Sequence, residues 1–174
     1  MKECRFFSAG FTLIELLVVI VILSILMVIS LGSFTSSQIK SRDSRRKSDL
    51  QNMTRALEVY YNDKGAYPIS SGNTGIGSQI WGSAFVDLDN PGQTLYMNVL
   101  PADPSEFAYY YDSSDGTYFQ FYAYLENEND QDLTKDADDA VMVYSGTDCG
   151  VGTCNYGISS TNTSPADGHT LISE

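Results

Sequence analysis

The sequence predicts an α+β protein. One long N-terminal α-helix has a transmembrane first half, and its second half packs on a small antiparallel β-sheet. Three observations predict this. Residues 11–31 read FTLIELLVVIVILSILMVISL, an almost unbroken apolar run. No Pro occurs between Phe11 and Tyr67, and Leu50, Met53, Leu57 and Tyr60 recur at i, i+3, i+7 and i+10, the apolar face of an amphipathic helix. Further on, two aromatic, β-forming runs flank Asp115-Gly116, a hairpin signal.

The chain has 174 residues, room for one globular domain, and a net charge of −12 that is unevenly placed. Residues 1–64 carry nine basic and six acidic groups, whereas residues 65–174 carry one basic group, Lys135, and sixteen acidic ones. A head this acidic repels phosphates and has no basic patch to release counterions, which argues against nucleic acid as its partner. One His and three Cys, with Cys4 near the N-terminus, are too few for a multi-ligand zinc site.

The apolar run holds about 20 residues, which at ~1.5 Å rise spans a ~30 Å hydrocarbon core. A soluble domain this small can hardly cover a stretch that is apolar on every side. The run is also longer than the h-region of a secretory signal, and no small-x-small cleavage site follows it closely. Glu15 interrupts the run. A carboxylate within a bilayer is costly and is usually functional and paired. The alternative is a Glu near the helix end that reaches the interface.

A short leader, MKECRFFSAG, with Lys2 and Arg5, precedes the run. Gly10-Phe11-Thr12-Leu13-Ile14-Glu15 and the apolar residues after it resemble the processing site of the type IV pilin and type II secretion pseudopilin superfamily. The resemblance implies a pilin fold. It also implies cleavage between Gly10 and Phe11 by a prepilin peptidase, and methylation of the new Phe11 amine. Glu15 would pair with the Phe11 amine of a neighbouring subunit during assembly. A residue without Cβ at position 10 suits a protease that must draw the backbone close. One rule points the other way. Lys40, Arg42, Arg45, Arg46 and Lys47 outnumber Lys2 and Arg5, so the positive-inside rule alone places the C-terminal part in the cytoplasm. The processing motif and the Cys149/Cys154 pair outweigh it.

The resulting division is a leader over 1–10, a transmembrane helix over 11–31, its amphipathic continuation over 32–64 and an acidic head over 65–174. The helix is predicted over about 11–63, near 80 Å at ~1.5 Å per residue, with Gly65 as the C-cap glycine and Pro68 shortly after. Many type IV pilins carry a helix-breaking Pro where Gly32 stands, so strong melting there is not expected. The basic run 40–47 has three readings: a solvated helix face, a site at lipid headgroups, or a surface for acidic neighbouring heads.

In the head, residues 70–92 read as a Gly-, Ser- and Asn-rich loop anchored by Trp81 and Phe85. Strands are expected over 94–99, 107–112, 117–125 and 140–144. In the second hairpin arm Phe119, Phe121, Ala123 and Leu125 should face the helix. Tyr118, Gln120, Tyr122 and Tyr124 should face solvent or a neighbour. Gly65-Ala66-Tyr67-Pro68, and Leu100-Pro101-Ala102-Asp103-Pro104 before a Tyr-rich hairpin, resemble the major pseudopilins in particular. The tail from about 145 resembles nothing recognised.

Catalysis finds little support. His169 reads as a solvated tail residue, and Gly150-Val151-Gly152 lacks the Lys and following helix of a phosphate loop. Cys149 and Cys154 suit a disulfide outside the cytoplasm, worth about 2 kcal/mol for so small a loop; two free thiols are the alternative. Glu126, Glu128, Asp130, Asp132, Asp136, Asp138 and Asp139 form an acidic run without the spacing of an EF-hand. Asp130, Asp132, Asp136 and Asp138 are candidate Ca²⁺ ligands, because resemblance to the major pseudopilins implies a calcium loop beside the sheet. A solvated acidic loop is the alternative. The function implied is a homo-oligomeric helical filament for protein secretion. Its partners would be the prepilin peptidase, an inner-membrane assembly platform, minor pilins or pseudopilins, and membrane lipid. The alternatives are a pilus for adhesion, motility or DNA uptake and, with less support, a membrane-tethered periplasmic enzyme or receptor.

Overall fold

The computed structural model describes residues 10–90, 92 and 94–173, with the side chains of 29–33 and 71 excepted. The leader residues 1–9, Cys4 among them, lie outside the described residues. The chain divides into two compact units, Met1–Gln38 and Ile39–Glu174. One helix, α1, runs over Leu13–Lys64 and passes through Gly32 unbroken.

In the first unit the apolar side chains from Phe11 to Val28 are 48–82% exposed. Ser24 folds its hydroxyl back onto the Ile20 carbonyl at 2.7 Å, which hides its polarity within the helix. Among the described residues no helix is long and apolar enough to cross a membrane.

In the second unit the predicted helix face is the one that packs. Leu50, Met53 and Leu57 are fully buried against Phe119, Phe121 and Ala123, with Tyr60 at the edge. Gly65 ends α1 with φ 76°, and its N–H closes onto the Tyr61 carbonyl at 2.7 Å. That left-handed geometry is nearly free of strain only for glycine.

The strands are β1 (Ser70–Gly72), β2 (Gly75–Ile76), β3 (Gln79–Ile80), β4 (Phe85–Val86), β5 (Leu95–Met97), β6 (Tyr110–Ser113), β7 (Gln120–Ala123), β8 (Met142–Tyr144), β9 (Tyr156–Ser159) and β10 (Leu171–Ser173). The main sheet is antiparallel in the order β1-β6-β7-β9, and β2/β3, β4/β5 and β8/β10 form two-stranded ribbons. The β6–β7 hairpin forms at Asp115-Gly116 as predicted. Phe85 is fully buried, and Trp81 donates its indole N–H to the Asn73 carbonyl at 2.7 Å while packing edge-on against Tyr109.

Three expectations need correction. The segment expected as a fourth strand, 140–144, becomes β8 and pairs with β10; the fourth sheet strand is β9, from the tail. The stretch 70–92 is not a loop throughout, since β1 joins the sheet. Gln120 and Tyr122 are fully buried rather than solvent-facing. The C-terminal tail folds over their side of the sheet. Gln120 donates to the Ser164 and Asp167 carbonyls at 2.6 and 2.8 Å, and Tyr122 to the Pro165 carbonyl at 2.6 Å. Gly157 makes the approach possible: a Cβ there would meet the Tyr122 ring at 2.9 Å and Pro165 at 2.8 Å.

Candidate functional site

Two places concentrate functional chemistry. The first is the start of α1. Thr12 is its N-cap: the Thr12 hydroxyl accepts the Glu15 N–H at 3.3 Å, while Glu15 Oε2 accepts the Thr12 N–H at 2.8 Å and the Thr12 hydroxyl at 2.7 Å. This is a reciprocal capping box, and it satisfies backbone donors that a helix start leaves open. Gly10 and Phe11 stand ahead of it in non-helical backbone, both exposed, with nothing within 4 Å of a Cβ built on Gly10. The peptide between them is open to approach. A Thr three residues before a Glu is the sequence signature of this cap, which gives Glu15 a second role beside that of an intramembrane charge.

The second place is a charged seam within the unit from Ile39 onward. Its centre is Arg46, with no exposed surface. Arg46 grips Asp103 through Nε at 2.7 Å and Nη2 at 3.0 Å. Nη1 donates to Asp43 at 2.7 Å and Glu126 at 2.8 Å, and Nη2 donates also to Ser105 at 2.7 Å. All five donors of the guanidinium are thereby used, and the cation also lies over the Phe107 ring at 5.2 Å. Asp43 accepts the N–H groups of Glu126 and Asn127 at 3.0 and 2.8 Å, and Arg42 forks onto Glu126 at 2.8 and 2.5 Å. The basic run is therefore not simply a solvated face. Asp43 and Arg46 continue the buried stripe of Leu50, Met53 and Leu57 toward the N-terminus at the same helical spacing.

Burial alone would lower the Arg46 pKa, but its bonds to Asp103, Glu126 and Asp43 raise it overall. The Arg42 hydrogen bond, against partial burial and with help from Arg46, holds Glu126 down at about 2 rather than 4.5. A carboxylate with a depressed folded-state pKa stabilises fully above its unfolded pKa, and that contribution fades as pH falls through the folded value. We therefore expect thermal stability to drop between pH 4.5 and about 2. Glu126 should contribute on the order of 2–3 kcal/mol of that loss. Glu126→Gln should lower stability at neutral pH and flatten this part of the profile. Parallel wild-type and variant melting profiles across that range would refute the assignment.

Cys149 and Cys154 form the expected disulfide, and both are fully buried. They pack with Tyr110, Tyr122 and Tyr144 on the outer side of the sheet. His169 is not a solvated tail residue. Its ring lies edge-on against Tyr110 and Tyr122, with Nδ1 2.8 Å from the Ser145 carbonyl oxygen. Sequence spacing offers no sign of this, because His169 lies outside any strand, two residues before the three-residue β10.

Residues 5–31 match the family described as the prokaryotic N-terminal methylation motif. The chain is 32% identical over 96 residues to the type II secretion system core protein G of Escherichia coli (strain K12), covering 55% of this chain and 65% of that protein. It is 36% identical over 73 residues to the fimbrial protein EcpC of Eikenella corrodens, covering 42% and 48% respectively. It is 35% identical over 60 residues to the type IV major pilin protein PilA of Myxococcus xanthus (strain DK1622), covering 34% and 27%. The chain is similar to members of the pilin and pseudopilin superfamily at its N-terminal motif and over these stretches. The family is one of structural subunits. The matches span less than two thirds of each relative's length, from 27% to 65%. No solved structure gives a significant match.

The acidic run is where the resemblance to major pseudopilins implies a calcium loop. The structure does not bring the four aspartates together. Asp130 and Asp132 both bond the Lys47 ammonium, Asp132 at 2.6 Å, and Asp130 also accepts the Asp132 N–H at 3.0 Å. Asp136 belongs to a different turn, where it accepts the N–H groups of Asp138 and Ala140 and the Ser173 hydroxyl at 2.9, 3.0 and 2.7 Å. Among the described residues no three His, Cys, Asp or Glu side chains converge as a metal site requires.

Proposed function

We propose that this chain is the repeating subunit of a helical filament, made as a membrane-anchored precursor and assembled after removal of residues 1–10. The observation that carries the reading is the start of α1. An exposed Gly10-Phe11 peptide sits immediately ahead of a capped helix whose next residues are apolar on all sides, apart from Glu15. Residues 11–31 anchor the precursor in the inner membrane, 32–64 continue the helix, and 65–174 form a head outside the cytoplasm. A prepilin peptidase cuts before Phe11 and methylates its amine. An assembly platform and minor subunits then seat each chain on the growing end, which remains in the periplasm or reaches the cell surface. Head-to-tail contacts that do not close into a ring give such a filament.

Between the two filaments of this superfamily we favour the type II secretion pseudopilus. The longest of the three alignments supports it, the one with the type II secretion system core protein G. The matches to a fimbrial protein and a type IV pilin, of similar identity but shorter span, support a surface pilus as the second reading. Deleting the gene separates them: a pseudopilus subunit is needed for export of secreted proteins, a pilus subunit for surface fibres.

The processing site has its own test. Gly10→Ala should leave the precursor uncut and abolish filaments. A normally shortened Gly10→Ala chain by mass spectrometry would refute the site.

A further inference from the structure

We propose that the Lys47 ammonium is the built-in cation of the loop over 126–132, in the position a divalent metal would otherwise hold, so that this head orders its acidic loop without calcium. The loop runs alongside α1 and is tied to it at two points one helical turn apart, since residues four apart share a helix face. At its beginning, Asp43 accepts the N–H groups of Glu126 and Asn127. At its end, the Lys47 ammonium bridges the Asp130 and Asp132 carboxylates. The same ammonium lies 5.5 Å from the centre of the Tyr156 ring on β9, so it also joins the loop to the sheet edge. Between the two ties the loop closes on itself through the Asp130 N–H to the Asn127 carbonyl at 2.9 Å. It then turns Leu133 inward, leaving it 8% exposed.

The donor set does not fit a calcium ion. Ca²⁺ takes about six to eight oxygen ligands at ~2.3–2.6 Å. Asp130 and Asp132 supply two carboxylates, and Lys47 already stands between them. A metal close enough to bind both would have to occupy the place of Nζ, against a like charge. Among the described residues no third His, Cys, Asp or Glu converges with them to complete the set. Asp136 is used by its own turn, and Asp139 bonds Lys135 at 3.0 Å. Partial burial opposes the charge on Lys47, but its bonds to the two aspartates raise its pKa overall, so it remains an ammonium at neutral pH.

The test uses the full chain in detergent micelles, melted in chelator and in millimolar calcium chloride. Wild-type protein should melt at the same temperature in both. Lys47→Met should melt about 2–8 °C lower, a cost of one to two kcal/mol spread over a chain of this size, and Lys47→Arg should stay close to wild type. Combining Lys47→Met with Asp130→Asn and Asp132→Asn should recover most of the loss, because no unpaired carboxylates then remain. Three results would overturn the proposal. One is a wild-type melting point that falls in chelator or rises in calcium. Another is a Lys47→Met chain that melts like wild type. The third is a triple variant no better than Lys47→Met, which would mean that Lys47 acts through its aliphatic stem alone. If Lys47→Met does not fold, the chelator comparison and the triple variant still decide.

Discussion

Replacing Arg46 with Met is expected to lower the thermal unfolding midpoint by about 6–20 °C. The range follows from a cost of about 3–5 kcal/mol for breaking a buried ion cluster and about 2–4 °C per kcal/mol at this chain length. The size of the effect comes from what is left behind. Asp43 and Asp103 are 2% and 0% exposed, and each would keep a desolvated charge with its main partner gone. The seam joins three stretches distant in sequence: α1, the Pro101–Pro104 turn that carries Asp103, and the segment after β7 that carries Glu126. Its loss should therefore loosen the whole head rather than one loop. Arg46→Lys should fall between, because one ammonium cannot reproduce the fork to Asp103 together with the bonds to Asp43, Glu126 and Ser105. Circular dichroism of the purified chain in micelles measures this. A Met variant that melts within a degree or two of wild type would show that the carboxylates relax into water and that the seam is dispensable.

Glu15→Val carries the largest functional effect. Val suits an apolar helix better than a carboxylate does, so membrane insertion should be equal or improved, and cleavage should be unaffected. Filament yield should fall at least about tenfold. The Phe11 ammonium of each incoming subunit would be buried without a partner, an uncompensated charge costs several kcal/mol, and each ~1.4 kcal/mol is a factor of ten. The capping box sharpens the test, because Glu15 also closes the first turn through Thr12. Thr12→Val removes the Thr12 hydroxyl from the cap but leaves the carboxylate. If the cap were all that mattered, Thr12→Val would cut filament yield as deeply as Glu15→Val. If pairing with the neighbouring amine matters, Thr12→Val should assemble far better. Filament counts and processed protein are measured in the same cells, and wild-type yield from Glu15→Val would sink the pairing role.

The elements legible in the sequence were those whose signal is local. Leu50, Met53 and Leu57 repeat at the helical period, Gly65 and Pro68 punctuate the end of α1, and Asp115-Gly116 marks the hairpin; each stands where expected. What the sequence concealed depends on partners far along the chain. Arg46 meets Asp103 and Glu126, 57 and 80 residues away, and Lys47 meets Asp132, 85 residues away. A run of charges reads as solvated until those partners are known. The alternation in β7 signals one-sided burial, but the tail covers the second side, and periodicity cannot reveal a cover that comes from another segment. Thr12 differs from these, since its capping signal is local, a Thr three residues before a Glu.

Whether the chain is a processed filament subunit is decided by the intact mass of the protein purified from its own membranes. The expected protein lacks residues 1–10 and carries one added methyl group on the amine of Phe11. A chain that keeps its leader, or one cut at any other bond, would contradict that role.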